Sequence, residues 1–186
     1  ALACAYLLDR KPTGVKGVML CAPYLSSPAW DADQRRNIAR LPQDIRSAIE
    51  EGEKTGDFGE AYESAMMAYY DRHVCLLRPW PGSLKKAFSE LNPDVYNMMW
   101  GRSEFTITGA LKDFDLTPRL REIREPVLLT CGDRDEAGVK TVKDFQQLFP
   151  DARMAVIPNA SHLHQIERPE IFAAVVGDFL RDVDTR

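Results

Sequence analysis

Two short apolar runs and the amphipathic stretch between them give this chain its clearest pattern. Pro126-Val127-Leu128-Leu129-Thr130-Cys131-Gly132 opens on a proline, closes on a glycine and has one polar side chain in between, as expected of a parallel strand covered on both faces. Arg153-Met154-Ala155-Val156-Ile157-Pro158 has the same design. Between them, Val142, Phe145, Leu148 and Phe149 recur at helical spacing within residues 139–149. Strand, helix, strand with a right-handed crossover brings the two strand ends to one edge of a sheet. Ligand sites of open α/β sheets lie at that edge.

The flanking pattern extends this picture. Residues 1–8 are small and apolar on nearly every side and have no capping residue, which predicts a buried helix whose start lies elsewhere; residues 15–22, closed by Pro23, predict a further buried strand. From about Tyr24 no strand pattern is evident for some eighty residues, and helical periodicity dominates. Leu41, Ile45, Ala48 and Ile49 share one face of residues 38–52, and Tyr62, Ala65, Met66, Tyr69, Tyr70 and Val74 share one of residues 59–77. The Met and Tyr stripe is read as packing. Residues 54–59, with two glycines and an aspartate, form a turn, Arg78-Pro79-Trp80-Pro81-Gly82 breaks the helices, and Asn92-Pro93-Asp94 opens another. Residues 111–124 return the chain to the sheet through a short polar helix. Pro169-Glu170 begins a last helix, whose stripe of Ile171, Phe172, Val175, Val176, Phe179, Leu180 and Val183 should pack on the sheet.

This order gives an α/β fold in three parts: core in residues 1–23, an inserted helical cap in 24–110, and the remaining core in 111–186. Bulk composition narrows the function. The 186 residues are 45% hydrophobic and 28% charged, ordinary for a globular protein. A net charge of -4 leaves no basic face for a phosphate backbone, so no nucleic-acid partner is expected, and no apolar run approaches the roughly 18 to 20 residues that a membrane helix needs. Cys4, Cys21, Cys75 and Cys131 are far apart and lie mostly in apolar runs; they read as buried free thiols, with no metal-ligand spacing, and favour a cytoplasmic setting.

The chemistry sits after the two strands of the opening pattern. The first is followed by Asp133, Asp135 and Glu136, the second by His162 and His164. An acid and a histidine delivered in that order match the end of the Ser, Asp, His sequence of α/β-hydrolases. There the acid holds the imidazole in the right tautomer and the histidine serves as general base toward a nucleophile. Spacing leaves open which acid and which histidine form the pair. His73 lies in an aromatic helix without a nearby acid and is read as a core or interface residue.

Taken together, these residues resemble the proline iminopeptidase branch of the α/β-hydrolase fold. Gly101-Arg102-Ser103-Glu104-Phe105, Thr108-Gly109-Ala110-Leu111-Lys112-Asp113-Phe114-Asp115 and Gly132-Asp133-Arg134-Asp135-Glu136 are similar, in order and spacing, to that family's Gly-Pro-x-Glu-Phe, Thr-Gly-x-Leu-Lys-x-x-Asp and Gly-x-x-Asp-Glu runs. The cap run Arg72-His73-Val74-Cys75 with Pro79-Trp80-Pro81 is similar too. The resemblance implies Asp135 as triad acid and His162 as base, with His164 an ordinary loop residue and Asp133 a turn-former or surface charge. It implies Glu104 and Glu136 as carboxylates that hold a substrate's free amino terminus, and no metal or organic cofactor. The implied activity is a serine aminopeptidase that releases an N-terminal residue, proline first, from small peptides; an amidase or esterase, or a non-catalytic interaction module, is the alternative on the same scaffold.

Three departures qualify the match. Arg102 stands in place of proline, and Ala137-Gly138-Val139 follows the Asp-Glu pair where the family often has a proline. No serine lies in a Gly-x-Ser-x-Gly setting between strand and helix. Residues 1–8 resemble the helix that directly follows the family's nucleophile, so the expectation is roughly the last three-fifths of such an enzyme, inactive alone, with an apolar strand edge open to association with the missing segment or a second copy.

Overall fold

The computed structural model describes residues 1–185. In chain order its elements are α1 (Leu2–Arg10), β1 (Val18–Cys21), α2 (Ser27–Ile38), α3 (Gln43–Thr55), α4 (Glu60–His73), α5 (Gly82–Ser89), α6 (Pro93–Met99), β2 (Gly101–Ser103), β3 (Thr106–Ile107), a 3₁₀ turn over Thr117–Glu122, β4 (Val127–Gly132), α7 (Val139–Gln146), β5 (Ala152–Ile157), α8 (His164–Glu167) and α9 (Pro169–Asp184).

β1, β4 and β5 form a parallel sheet in the order β1-β4-β5. β4 is buried at every position, because it is flanked by a strand on each side and covered on both faces. The register runs from Val127 opposite Ala152 to Gly132 opposite Ile157, so β4 and β5 end level with each other. This register sets the loops after them side by side. Gly132 closes the junction: a Cβ there would collide with the carbonyls of Ala160 and Ser161, so only glycine lets the second loop lie against the end of β4.

On one face of the sheet, Leu7 and Leu8 of α1, Leu20, Leu129, and Val142 and Phe145 of α7 share a core with Trp30 and Leu120. On the other, Leu128 meets Phe179 and Val183 of α9. A separate cluster holds the helical region together, with Ile49, Tyr62, Tyr69, Tyr70 and Phe105 at its centre. Burial of each such side chain contributes about 1.5–3 kcal/mol.

Several expectations are corrected. The segment 101–107, read as part of a helical region, forms the hairpin β2–β3. Its residues are held by Tyr62, whose hydroxyl lies 2.8 Å from Ser103 Oγ and 2.9 Å from Thr106 Oγ1. The short polar helix expected on the return to the sheet is present, as the 3₁₀ turn. α1 is not buried on nearly every side, since Leu2 and Tyr6 face solvent. Cys4, Cys75 and Cys131 are buried and free, but Cys21 is exposed, because β1 alternates buried and exposed positions along the sheet's edge. α9 does pack on the sheet, yet Ile171 and Leu180 of its stripe remain exposed. No helix among the described residues is long and apolar enough to cross a membrane.

Candidate active site

The loop after β4 turns sharply and buries its acid. Asp135 Oδ2 accepts the N–H of Gly132 at 3.1 Å and Oδ1 that of Ala137 at 2.9 Å, so the carboxylate caps its own turn. The loop after β5 brings His162 to the same place, and its Nδ1 lies 3.0 Å from Asp135 Oδ1. Backbone bonds fix the second loop against the helical region: His162 N donates to the carbonyl of His73, and Leu163 N to that of Val74, both at 3.0 Å. His73 thus sits at an interface, its Nδ1 3.0 Å from the Arg134 carbonyl. His162 Nε2 has no hydrogen bond among the described residues. With its outer nitrogen open and its inner one on a buried carboxylate, this imidazole is placed to exchange a proton.

Two more carboxylates face the ring. Glu136 is buried, its Oε1 3.6 Å from His162 Nδ1, while its Oε2 is enclosed without a partner. Glu104, on the β2–β3 turn, receives the Tyr96 hydroxyl on Oε1 at 3.0 Å. Its backbone is held as well: the carbonyl accepts from Trp30 Nε1 at 2.8 Å and the N–H donates to the Tyr70 hydroxyl at 3.3 Å. Trp30 also stands edge-on to the His162 ring, 5.9 Å between centroids. Tyr24, Trp30, Tyr96, Trp100, Glu104 and His162 line one open cavity of about 500 Å³, whose remaining wall is mostly aliphatic.

These charges set one another's protonation. Burial pulls the His162 imidazole down, but Asp135, Glu136 and Glu104 together outweigh it and push its pKa up to about 10. Burial raises Glu136 well above the usual carboxylate range, with Glu104 and Asp135 adding to the rise and His162 opposing it. Burial also raises Glu104, against the pull of His162 and Tyr96. Both glutamates are thus costly to ionise unless a cation stands close by, and Glu136 Oε2 is an unused buried acceptor. A cation with N–H donors is the ligand that such a site is short of.

Asp133 is exposed and accepts the N–H groups of Asn159 at 3.0 Å and Ala160 at 3.2 Å, tying the two loops together as a turn-former. His164, expected as an ordinary loop residue, is instead fully buried, with Nε2 2.8 Å from Thr130 Oγ1, because α8 begins there and turns the ring inward under Asp135. Sequence reading also missed Trp30, Tyr96, Asp33 and Glu167. Asp33 is buried in α2 and caps the start of α7, accepting the Gly138 N–H at 3.0 Å. Only Glu167 left a signal: an acid in the turn after His162, in a stretch too short to be a solvated helix face.

Comparison with known proteins gives the family. Residues 1–169 match the model of the alpha/beta hydrolase fold family. The chain belongs to that family. Among its relatives, the proline iminopeptidase of Heyndrickxia coagulans is 41% identical over 98% of the chain, and that of Clostridium botulinum is 30% identical over 98%. The crystal structure of proline iminopeptidase from Mycobacterium smegmatis superposes with a TM-score of 0.90 at 33% identity over 99% of the chain, and that of VinJ with 0.93 at 35% over 98%. The chain spans 64% and 63% of the two relatives' lengths and 62% of each of these crystal structures' chains.

Proposed function

We propose that this chain carries the acid, the base and the amine-binding carboxylates of a serine aminopeptidase that releases N-terminal proline from small peptides. The observation that carries the reading is the buried, unpartnered Oε2 of Glu136 beside an Asp135–His162 pair. A substrate ammonium held by Glu136 and Glu104 gains charge-assisted hydrogen bonds, about twice as strong as neutral ones. A blocked amine leaves both acids unpaired.

In this reading Asp135 orients His162 and stabilises its imidazolium, and His162 Nε2 takes the proton of a serine hydroxyl as it attacks the scissile carbonyl. The same proton goes to the leaving amine, and water then hydrolyses the acyl-enzyme by the reverse relay. Among the described residues no serine is hydrogen-bonded to His162, so this reading takes its nucleophile from outside the 186 residues and expects these alone to be inactive. The arriving ammonium also replaces His162 as counter-cation to Glu136 and Glu104. Binding would thereby lower the imidazole's proton affinity as the base is needed.

The test is turnover of a proline aryl-amide, amine free or acetylated, by the protein produced at the length of its relatives. Turnover of the free form alone supports the reading. Equal turnover of both removes the amine anchor and leaves a broader amidase or esterase, and turnover of neither, with a serine elbow present, makes the substrate class wrong.

A further inference from the structure

Asp135 faces two histidines, and the reading above uses one. The other, His164, is fully buried, and its ring also packs edge-on against Phe172 of α9 at 5.6 Å. Its Nε2 lies 2.8 Å from the hydroxyl of Thr130, a residue of the central strand β4. Its Nδ1 has no hydrogen-bond partner, and Asp135 Oδ2 lies 3.9 Å away. Oδ2 accepts one bond, from Gly132 N, so it has room for a second approach.

A neutral imidazole has one N–H, and the surroundings choose which nitrogen carries it. If Nε2 carried the proton, the Nδ1 lone pair would face a buried carboxylate, a repulsive contact strengthened by the low local dielectric. If Nδ1 carries it, the N–H dipole points at Asp135, and Nε2 accepts from the Thr130 hydroxyl. The charged and titratable neighbours of the ring are Asp135 and His162; burial holds the imidazole below its ordinary pKa, so it stays neutral.

We propose that His164 is a positioning residue for Asp135: a neutral imidazole, held as the Nδ1–H tautomer by the carboxylate that it faces and accepting from Thr130, that supports the carboxylate from behind while His162 uses it from the front. At 3.9 Å the contact is a charge–dipole interaction rather than a hydrogen bond. It draws negative charge toward Oδ2 and so moderates how tightly Asp135 holds the proton on His162. The proposal rests on Asp135 acting as the triad acid, but its test does not depend on turnover, so it can fail while the aminopeptidase reading stands.

The experiment is long-range proton–nitrogen NMR of the ¹⁵N-labelled protein, which distinguishes a protonated from an unprotonated ring nitrogen for each histidine. The expected result is a protonated Nδ1 and an unprotonated Nε2 in His164; the reverse tautomer, or a charged ring at neutral pH, overturns the proposal. Two variants add a second readout. In His164→Asn the amide nitrogen can occupy the place of Nδ1, whereas in His164→Gln it reaches only the place of Nε2. The pKa of His162 should rise in His164→Gln, where Asp135 loses its rear donor, and stay at the wild-type value in His164→Asn. A fall toward the ordinary histidine value in both variants would mean loosened structure and would sink the proposal.

Discussion

The carboxylate of Glu167 accepts the backbone N–H of Leu76 at 2.8 Å, joining the turn that follows His162 to the segment that leaves α4. The same side chain takes the Ser161 N–H at 2.6 Å and the Ser161 hydroxyl at 2.5 Å. Glu167→Gln keeps the shape but turns one acceptor oxygen into a donor, which then faces another N–H or a hydroxyl. Hydrogen bonds to a buried charge contribute about 1.5–3 kcal/mol each. The variant should therefore lose about that much stability in urea denaturation, and an unchanged midpoint would show that the linkage carries no load.

Glu136→Gln removes one of the three carboxylates that raise His162. Its imidazole should then titrate below the parent value of about 10, as followed by proton NMR of the ring. A pKa that does not move would mean that Asp135 alone sets it and that Glu136 is electrically remote from the base.

Stability should depend on pH through the same histidine. Its folded pKa of about 10 lies above the unfolded value of about 6.5, so the stability that it contributes is complete below about pH 6.5 and is lost as pH rises through 10. Unfolding free energies measured across that window should fall more steeply for the parent than for His162→Gln. Parallel curves would place the dependence elsewhere.

Tyr96→Phe takes away the hydroxyl that Glu104 accepts at 3.0 Å, while preserving the ring that lines the cavity. Glu104 should become still harder to ionise, since Tyr96 at present opposes the effect of burial. For an amine-anchored substrate the expected outcome is a raised KM with a smaller change in kcat, reversed in part at higher pH. A change confined to kcat would place Tyr96 with the chemistry instead.

Gly132→Ala tests whether the two catalytic loops must touch. A methyl group has no room between β4 and the carbonyls of Ala160 and Ser161, and overpacking of this kind costs about 1–3 kcal/mol. Thermal unfolding should record the loss, together with a weakened coupling between His162 and Asp135.

What the sequence revealed and what it hid follow from the range of the forces involved. The runs that became β4 and β5 were legible because a strand buried on both faces must be continuously apolar, and the strand-helix-strand order made a meeting of an acid and a histidine predictable, whereas the choice of Asp135 and His162 came from the family resemblance. The β2–β3 hairpin was not legible. Its strands have three and two residues, and it is held by Tyr62 from a helix some forty positions earlier. The roles of His162 and His164 could not be separated by spacing, since two residues in a loop can point anywhere until α8 fixes them. By residue type alone Glu136 is any acid in a polar turn; its burial with an unpartnered oxygen shows only in the fold. The exposure of Cys21, Leu2 and Tyr6 was likewise invisible, because an apolar residue does not record which of its faces has a neighbour.

The two backbone bonds from His162 and Leu163 to His73 and Val74 bear on how such a site could admit its ligand. A lid that swung open about α4 would carry the base away from its acid with every cycle, undoing the alignment that it is meant to protect. α6, which buries none of its residues and brings Val95 and Met99 to the cavity wall, could shift without parting His162 from Asp135, though its Tyr96 would take the support of Glu104 with it.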